Sequence, residues 1–291
     1  MHGSRRQRGF TIVELVIVIL ISSVLSLSLL QFISVPVDAF VDQSRRARLV
    51  AVADAALDRI AQDVHAALPN SLRVGCGGTC LEYLRTVGGG RYRAAPPGDF
   101  LSFVPADADG SFEVLGNLVL PGTVATSASA DACRNGAAAC LVIYNTGFAG
   151  TNAWQGDNIA TLTAVGGSTL SFDNSVFSSG DNAFPAASPG QRFFVVDSPV
   201  SYLCDPVAGQ VRRYEGYNIR ALQGDVDSHA ELLALSNPAE SALLADGVTA
   251  CSFSYSPGTP TRNAMLTVRL TVSEAGESIN LLQQVGVLNG T

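Results

Sequence analysis

The chain has 291 residues and a formal net charge of −7. That acidity argues against binding to nucleic acid or to anionic membrane surfaces at large, so no nucleic-acid partner is expected. All 18 basic residues are arginine, which excludes lysine-dependent chemistry such as a Schiff base or a P-loop.

The first element is a short basic leader, residues 1–9, with Arg5, Arg6 and Arg8. Charge then stops: from 15 to 37 there is no ionisable side chain, and Glu14 is the only charge between Arg8 and Asp38. A helix over 10–33 would be about 36 Å long at about 1.5 Å per residue, enough to cross a hydrocarbon core of about 30 Å. A carboxylate at the mouth of such a run is costly in lipid and calls for a partner, unless Glu14 lies at headgroup depth and only marks the helix start. Two plainer readings compete. In one, Val37 and Ala39 form the cleavage site of a secretory signal before Phe40, but the apolar run is about twice a normal h-region. In the other the run is a plain anchor, which leaves the order Gly-Phe-Thr-x-x-Glu unexplained.

Beyond Pro36, expected to kink the helix, Leu49, Ala53, Ala56, Leu57, Ile60 and Val64 recur at helical spacing among polar positions. This amphipathic half, 36–68, should lay one stripe on a soluble domain and end at Leu68, because Pro69 biases its predecessor out of the helix. After Pro69 the period changes. Runs at 81–85, 100–104, 112–120, 141–144, 159–165, 169–172, 192–197, 200–204, 210–214, 249–255, 264–273 and 279–288 read as short antiparallel strands. The last two make a closing hairpin around Glu274-Ala275-Gly276-Glu277. The stretches 231–235 and 239–244 read as short helical turns, and 88–98, 122–139 and 174–191 as exposed loops.

Six cysteines fit an oxidising compartment. They also orient the chain. Leader arginines favour a cytoplasmic N-terminus, but Arg45, Arg46 and Arg48 on the far side leave charge bias ambiguous. The cysteines place the C-terminal domain outside the cytoplasm. Pairing nearest neighbours gives Cys76–Cys80, Cys133–Cys140 and Cys204–Cys251, one of fifteen connectivities. The histidines, His2, His65 and His229, do not stand at zinc-ligand spacing with a cysteine pair, so no metal is expected. Asp107-Ala-Asp109-Gly110 has half a calcium loop, but Pro105 and Gly116 occupy positions that should be acidic, and a turn is the better reading. Asp225-Val-Asp227-Ser-His229 reads as a polar loop. Arg212, Arg213 and Arg220 could contact an acidic partner or a phosphate, though such clusters are more often a solvated face. No hydrolase, metalloprotease or nucleotide-binding motif is present, so neither a catalytic residue nor a cofactor is expected.

Arg8-Gly9-Phe10-Thr11-Ile12-Val13-Glu14-Leu15, opening a membrane-length run, resembles the class III signal of type IV pilins and type II secretion pseudopilins. That resemblance implies cleavage by a prepilin peptidase between Gly9 and Phe10 and N-methylation of the new terminus at Phe10. It also implies a role for Glu14 as the assembly contact, pairing with its own or a neighbour's terminal amine. An ion pair in an apolar medium is strong enough to set register. The implied fold is α+β and type IV pilin-like: leader 1–9, membrane half of the spine 10–35, amphipathic half 36–68, and a β-rich periplasmic domain 69–291.

Patches at 66–73, 80–83, 184–185, 188–196, 198–204, 210–214 and 251–255, with Arg262, resemble the MshO-type minor pilin-like family of the mannose-sensitive haemagglutinin (MSHA) pilus. The large ectodomain is also similar to J-type minor pseudopilins. The family implies an assembly protein rather than an enzyme, whose partners are the prepilin peptidase, other major and minor pilins and the inner-membrane assembly platform. It implies a single-pass inner-membrane protein with a place at the pilus tip. The alternative functions are a J-type minor pseudopilin of a type II secretion system, or display of an adhesive binding surface at that tip.

Overall fold

The computed structural model describes residues 9–107, 109–120, 124–173, 175, 177, 182–258 and 262–287. Residues 1–8 of the leader, parts of the loops read at 122–139 and 174–191, Ala108 and Leu288 lie outside them. The chain divides into two units, 1–50 and 51–291.

The first unit is helical from Ile12 onward, and α1 as a whole is Ile12–His65. Its segment Ile12–Leu29 is long and apolar enough to cross a membrane, and none of that segment is buried within the chain. Four serines, Ser22, Ser23, Ser26 and Ser28, interrupt it, and two of them bond back to the helix: Ser23 Oγ donates to the Ile19 carbonyl at 2.7 Å and Ser28 Oγ to that of Val24 at 3.0 Å. Such back-bonding lets a hydroxyl sit in an apolar helix without an unsatisfied donor. Pro36 lies inside α1, which runs through it unbroken.

In the second unit the tail of α1 buries Ala53, Ala56, Leu57, Ile60 and Val64 and leaves Asp54, Asp58 and Arg59 exposed. The helix stops at His65, three residues before the expected end, because the next residues are drawn onto a strand. The Ala66 carbonyl accepts from the Thr86 N–H and hydroxyl, both at 2.7 Å. The Leu68 N–H donates to the Leu84 carbonyl at 2.8 Å.

Nine strands form one sheet: β1 Arg73–Gly75, β2 Cys80–Tyr92, β3 Ser111–Leu115, β4 Cys140–Ile143, β5 Ile159–Val165, β6 Thr169–Asp173, β7 Arg192–Asp205, β8 Gln210–Glu215 and β9 Glu240–Asp246. Every pairing is antiparallel. β2 and β7 are long and serve twice. With their 86–92 and 192–196 parts they close a circuit through β3, β6, β5 and β4, a small barrel. With their 80–85 and 198–205 parts they form an open sheet flanked by β1, β8 and β9. Register shifts between Arg85 and Gly88 mark the changeover, as bulges commonly do where a strand leaves one sheet for another. Aromatic rings fill the barrel: Phe112 meets Phe193 at 5.3 Å between centroids, and Phe177 meets Phe184 at 4.9 Å.

The expected break at Ser198-Pro199 is absent; β7 runs through it. Leu84, opposite Pro199, sends its N–H to Ser71 Oγ and its carbonyl to Leu68, away from β7. The Pro199 nitrogen therefore faces the other edge, in the gap between the pairing of Val196 with β4 and of Val200 with β8. Proline is tolerated there because no donor is asked of it. Three other expectations are corrected. Residues 240–246 form β9 rather than helix, a short apolar run whose type periodicity cannot decide. Residues 100–104 are irregular, with the Ser102 N–H taken by the Asp109 carboxylate at 2.7 Å. Glycines 88–90 belong to β2 rather than to a loop. A Cβ on Gly90 would stand 3.0 Å from the Phe193 ring, so glycine is what lets the strand pass.

Three further strands, β10 Val248–Ser256, β11 Ala264–Glu274 and β12 Glu277–Val287, form a second antiparallel sheet. The expected hairpin joins the last two, with Glu274 opposite Glu277. Its central residues Ala275 and Gly276 both have positive φ, as a two-residue turn matched to strand twist requires. α2, His229–Ala234, opens with a capping box between Ser228 and Glu231. Cysteines pair as Cys76–Cys80, Cys133–Cys140 and Cys204–Cys251, and the last ties β7 to β10 across the two sheets.

Candidate processing and assembly segment

Thr11 sits just before α1. Its hydroxyl accepts the Glu14 N–H at 3.2 Å and its carbonyl accepts the Leu15 N–H at 3.1 Å. That is an N-cap, and it occupies a donor that a helix start otherwise leaves open. Thr-x-x-Glu is also the sequence of a capping box, but the Glu14 carboxylate makes no hydrogen bond or ion pair among the described residues. It stands in the first turn of an exposed apolar segment with no partner for its charge among the described residues.

Gly9 stands one residue before exposed Phe10, and a Cβ there would meet nothing within 4 Å. No packing or turn within the described chain asks for glycine at this position. Open space beside Gly9, and a carboxylate five residues on without a partner among the described residues, are features that the described fold does not explain.

The β-rich unit behaves in the opposite way. Arg212, Arg213 and Arg220 do not form one cluster. Arg213 reaches Asp63 Oδ2 at 2.5 Å and Glu215 Oε1 at 2.5 Å. Arg212 turns to Gln210 Oε1 at 3.0 Å. Arg220 offers its carbonyl to Arg73 at 2.9 Å. Asp63, at the end of α1, was not legible as special, yet it also accepts from the Tyr202 hydroxyl at 2.7 Å and pairs with Arg59 at 3.2 Å. With Arg85 bridging Glu215 and Asp197, a continuous ionic chain runs from the helix to β8, β2 and β7. Burial opposes charge on Glu215, but the bonds from Arg213 and Arg85 outweigh it and hold its carboxyl below the ordinary value.

A second network lies deeper. Glu82 is fully buried and takes the Arg73 guanidinium at 2.7 Å and the Tyr217 hydroxyl at 2.9 Å. Arg73 lies over the Trp154 ring at 3.7 Å from its centroid. Burial pushes the Glu82 carboxyl up, against the pull of Arg73 and Tyr217.

The calcium-like turn is held by its own chain: Asp109 accepts from the N–H of Ser102 and of Ser111, and Asp107 from the Ser102 hydroxyl. Within 225–229, Ser228 caps α2 and His229 Nδ1 bonds the Tyr214 hydroxyl at 2.7 Å. Among the described residues no three His, Cys, Asp or Glu side chains converge as metal ligands.

Residues 4–30 match the family model of the prokaryotic N-terminal methylation motif. No curated protein and no solved structure matches the chain. The match takes in the leader from Ser4, with Gly9, Phe10, Glu14 and the apolar run as far as Leu30.

Proposed function

We propose, from the N-terminal methylation motif matched at residues 4–30, that this type IV pilin-like chain is a structural protein rather than an enzyme: a minor pilin-like subunit that initiates or primes assembly of a type IV pilus, of the MshO type in an MSHA system. A prepilin peptidase cuts between Gly9 and Phe10 and methylates the new amine of Phe10. Removing the leader also takes away three arginines. The apolar half of α1 then anchors the chain once in the inner membrane, N-terminus cytoplasmic, with the disulfide-bonded domain in the periplasm. Glu14 pairs with a terminal amine as the helix docks against other pilins at the assembly platform, and the subunit takes a place at the pilus tip.

The observation that carries this reading is the Glu14 carboxylate, which has no partner among the described residues at the mouth of a wholly exposed apolar helix. A charge at that depth costs on the order of a few kcal/mol unless paired. Intact-mass measurement of the protein made with and without a prepilin peptidase tests it. Loss of residues 1–9 and gain of one methyl group, only with the peptidase, is the expected result. An unprocessed terminus would leave a plain anchor, and a new terminus at Phe40 would mean a secreted protein; either one overturns the proposal.

A further inference from the structure

Where β2 and β7 close the barrel, Arg91 stands directly opposite Arg192. Opposed residues of an antiparallel pair point to the same face, and like charges in that position repel. Both side chains are exposed, and neither makes an ion pair among the described residues. Arg91 is steadied by neutral acceptors, the Gly190 carbonyl at 3.2 Å and Gln191 Oε1 at 3.4 Å. Elsewhere Arg73, Arg85, Arg93 and Arg213 each have a carboxylate. Arg212 too is held by a neutral acceptor; what sets Arg91 and Arg192 apart is that two exposed guanidinium side chains stand directly opposite each other on one face.

They stand at one end of a solvent-open groove of about 410 Å³. Ala67, Pro69 and Thr86 line the other end, about 17 Å away at about 3.3 Å per strand residue. Between them Gly89, opposite Phe194, leaves the floor without a side chain, and half-buried Phe194 forms an apolar wall. A Cβ on Gly89 would lie 2.8 Å from the Phe193 carbonyl oxygen, so the floor is fixed open by the strand pairing. His65 lies on the rim, exposed. Two guanidiniums at one end and an apolar trough behind them match a carboxylate carried beside an apolar residue. Guanidinium is the side chain suited to two-pronged carboxylate binding. The groove is open along the surface, which suits a passing segment.

We propose that this groove binds an aspartate or glutamate side chain, flanked by an apolar residue, on a segment of a neighbouring subunit. The assembly reading enters only in naming the carrier as a subunit; binding by the purified chain tests the groove alone, and terminal processing tests the assembly reading alone.

The full chain in detergent, at low ionic strength, is titrated calorimetrically with acetyl-Leu-Asp-Leu-amide, with acetyl-Leu-Asn-Leu-amide and with inorganic phosphate. The aspartate peptide should bind one per chain, at least about tenfold tighter than the asparagine peptide, a difference of about 1.4 kcal/mol, and more weakly as salt is added. Replacing Arg91→Ser and Arg192→Ser together should weaken the aspartate peptide by at least about tenfold. The melting temperature of that variant should hold or rise, because a repulsion is removed. Equal binding of the two peptides, no binding, or aspartate binding that survives the double replacement would overturn the proposal. So would tighter binding of phosphate, which would make this a bare anion site.

Discussion

The residues around Glu14 and those around Asp63 lie on one helix and treat charge in opposite ways. Asp63 is 11% exposed at its side chain and surrounded by its own chain: Arg213, 7% exposed, Arg59 and the Tyr202 hydroxyl. Glu14 has no such company among the described residues, and the apolar segment that follows it buries nothing within the chain. The first carboxylate is explained by the fold that contains it; the second has no partner among the described residues, and the assembly reading proposed above supplies one. On the assembly reading proposed above, the difference carries a rule: polar groups answered inside the chain hold it together, and costly ones left unanswered mark where it meets something else.

The largest effect should come from the unanswered charge. Glu14→Ala should abolish incorporation into filaments, measured by recovering the subunit from sheared pili, while the ectodomain melts as before. An assembled variant, or one with a lowered melting temperature, would collapse the contrast with Asp63. Asp63→Ala should do the reverse. Removing one partner of a buried ion pair leaves the other charge stranded, which costs about 3–5 kcal/mol. Thermal or urea unfolding of the full chain in detergent, followed by the fluorescence of the single tryptophan, Trp154, reads that loss. A change below about 1 kcal/mol would place Asp63 among ordinary surface pairs.

The same contrast explains what the sequence disclosed. The motif around Gly9, Phe10 and Glu14 is legible because it is local: one contiguous stretch, matched by the methylation-motif model, set against a run with no other charge. β5 and the hairpin at 274–277 are legible for the same reason, since periodicity and turn chemistry act over a few residues. The Asp63–Arg213 bond spans 150 positions, and no local pattern distinguishes Asp63 from Asp54 or Asp58 on the same helix. The run through Pro199 was hidden because whether a strand tolerates proline depends on which neighbour faces its nitrogen, and that is a property of the assembled sheet. Arg91 and Arg192 became a pair only when β2 met β7.

The smallest effect distinguishes two answered charges, Glu82 and Glu215, whose carboxyls the fold shifts in opposite directions from an ordinary value of 4.5. Glu215 is lowered, so its contribution is in place above that value and is lost as pH falls through the folded-state value. Glu82 is raised, because burial outweighs Arg73. The fold therefore prefers it protonated, and its contribution is in place below the ordinary value and lost as pH rises through the folded-state one. Urea midpoints taken from about pH 3 to 7 should thus respond differently to two neutral replacements. Glu215→Gln should flatten the acid limb. Glu82→Gln should remove a decline that begins above the ordinary value, and Trp154, stacked under the arginine that Glu82 holds, should report it directly. If Glu82→Gln instead flattened the acid limb, Arg73 would be outweighing burial, and the two networks would be alike in kind and different only in depth.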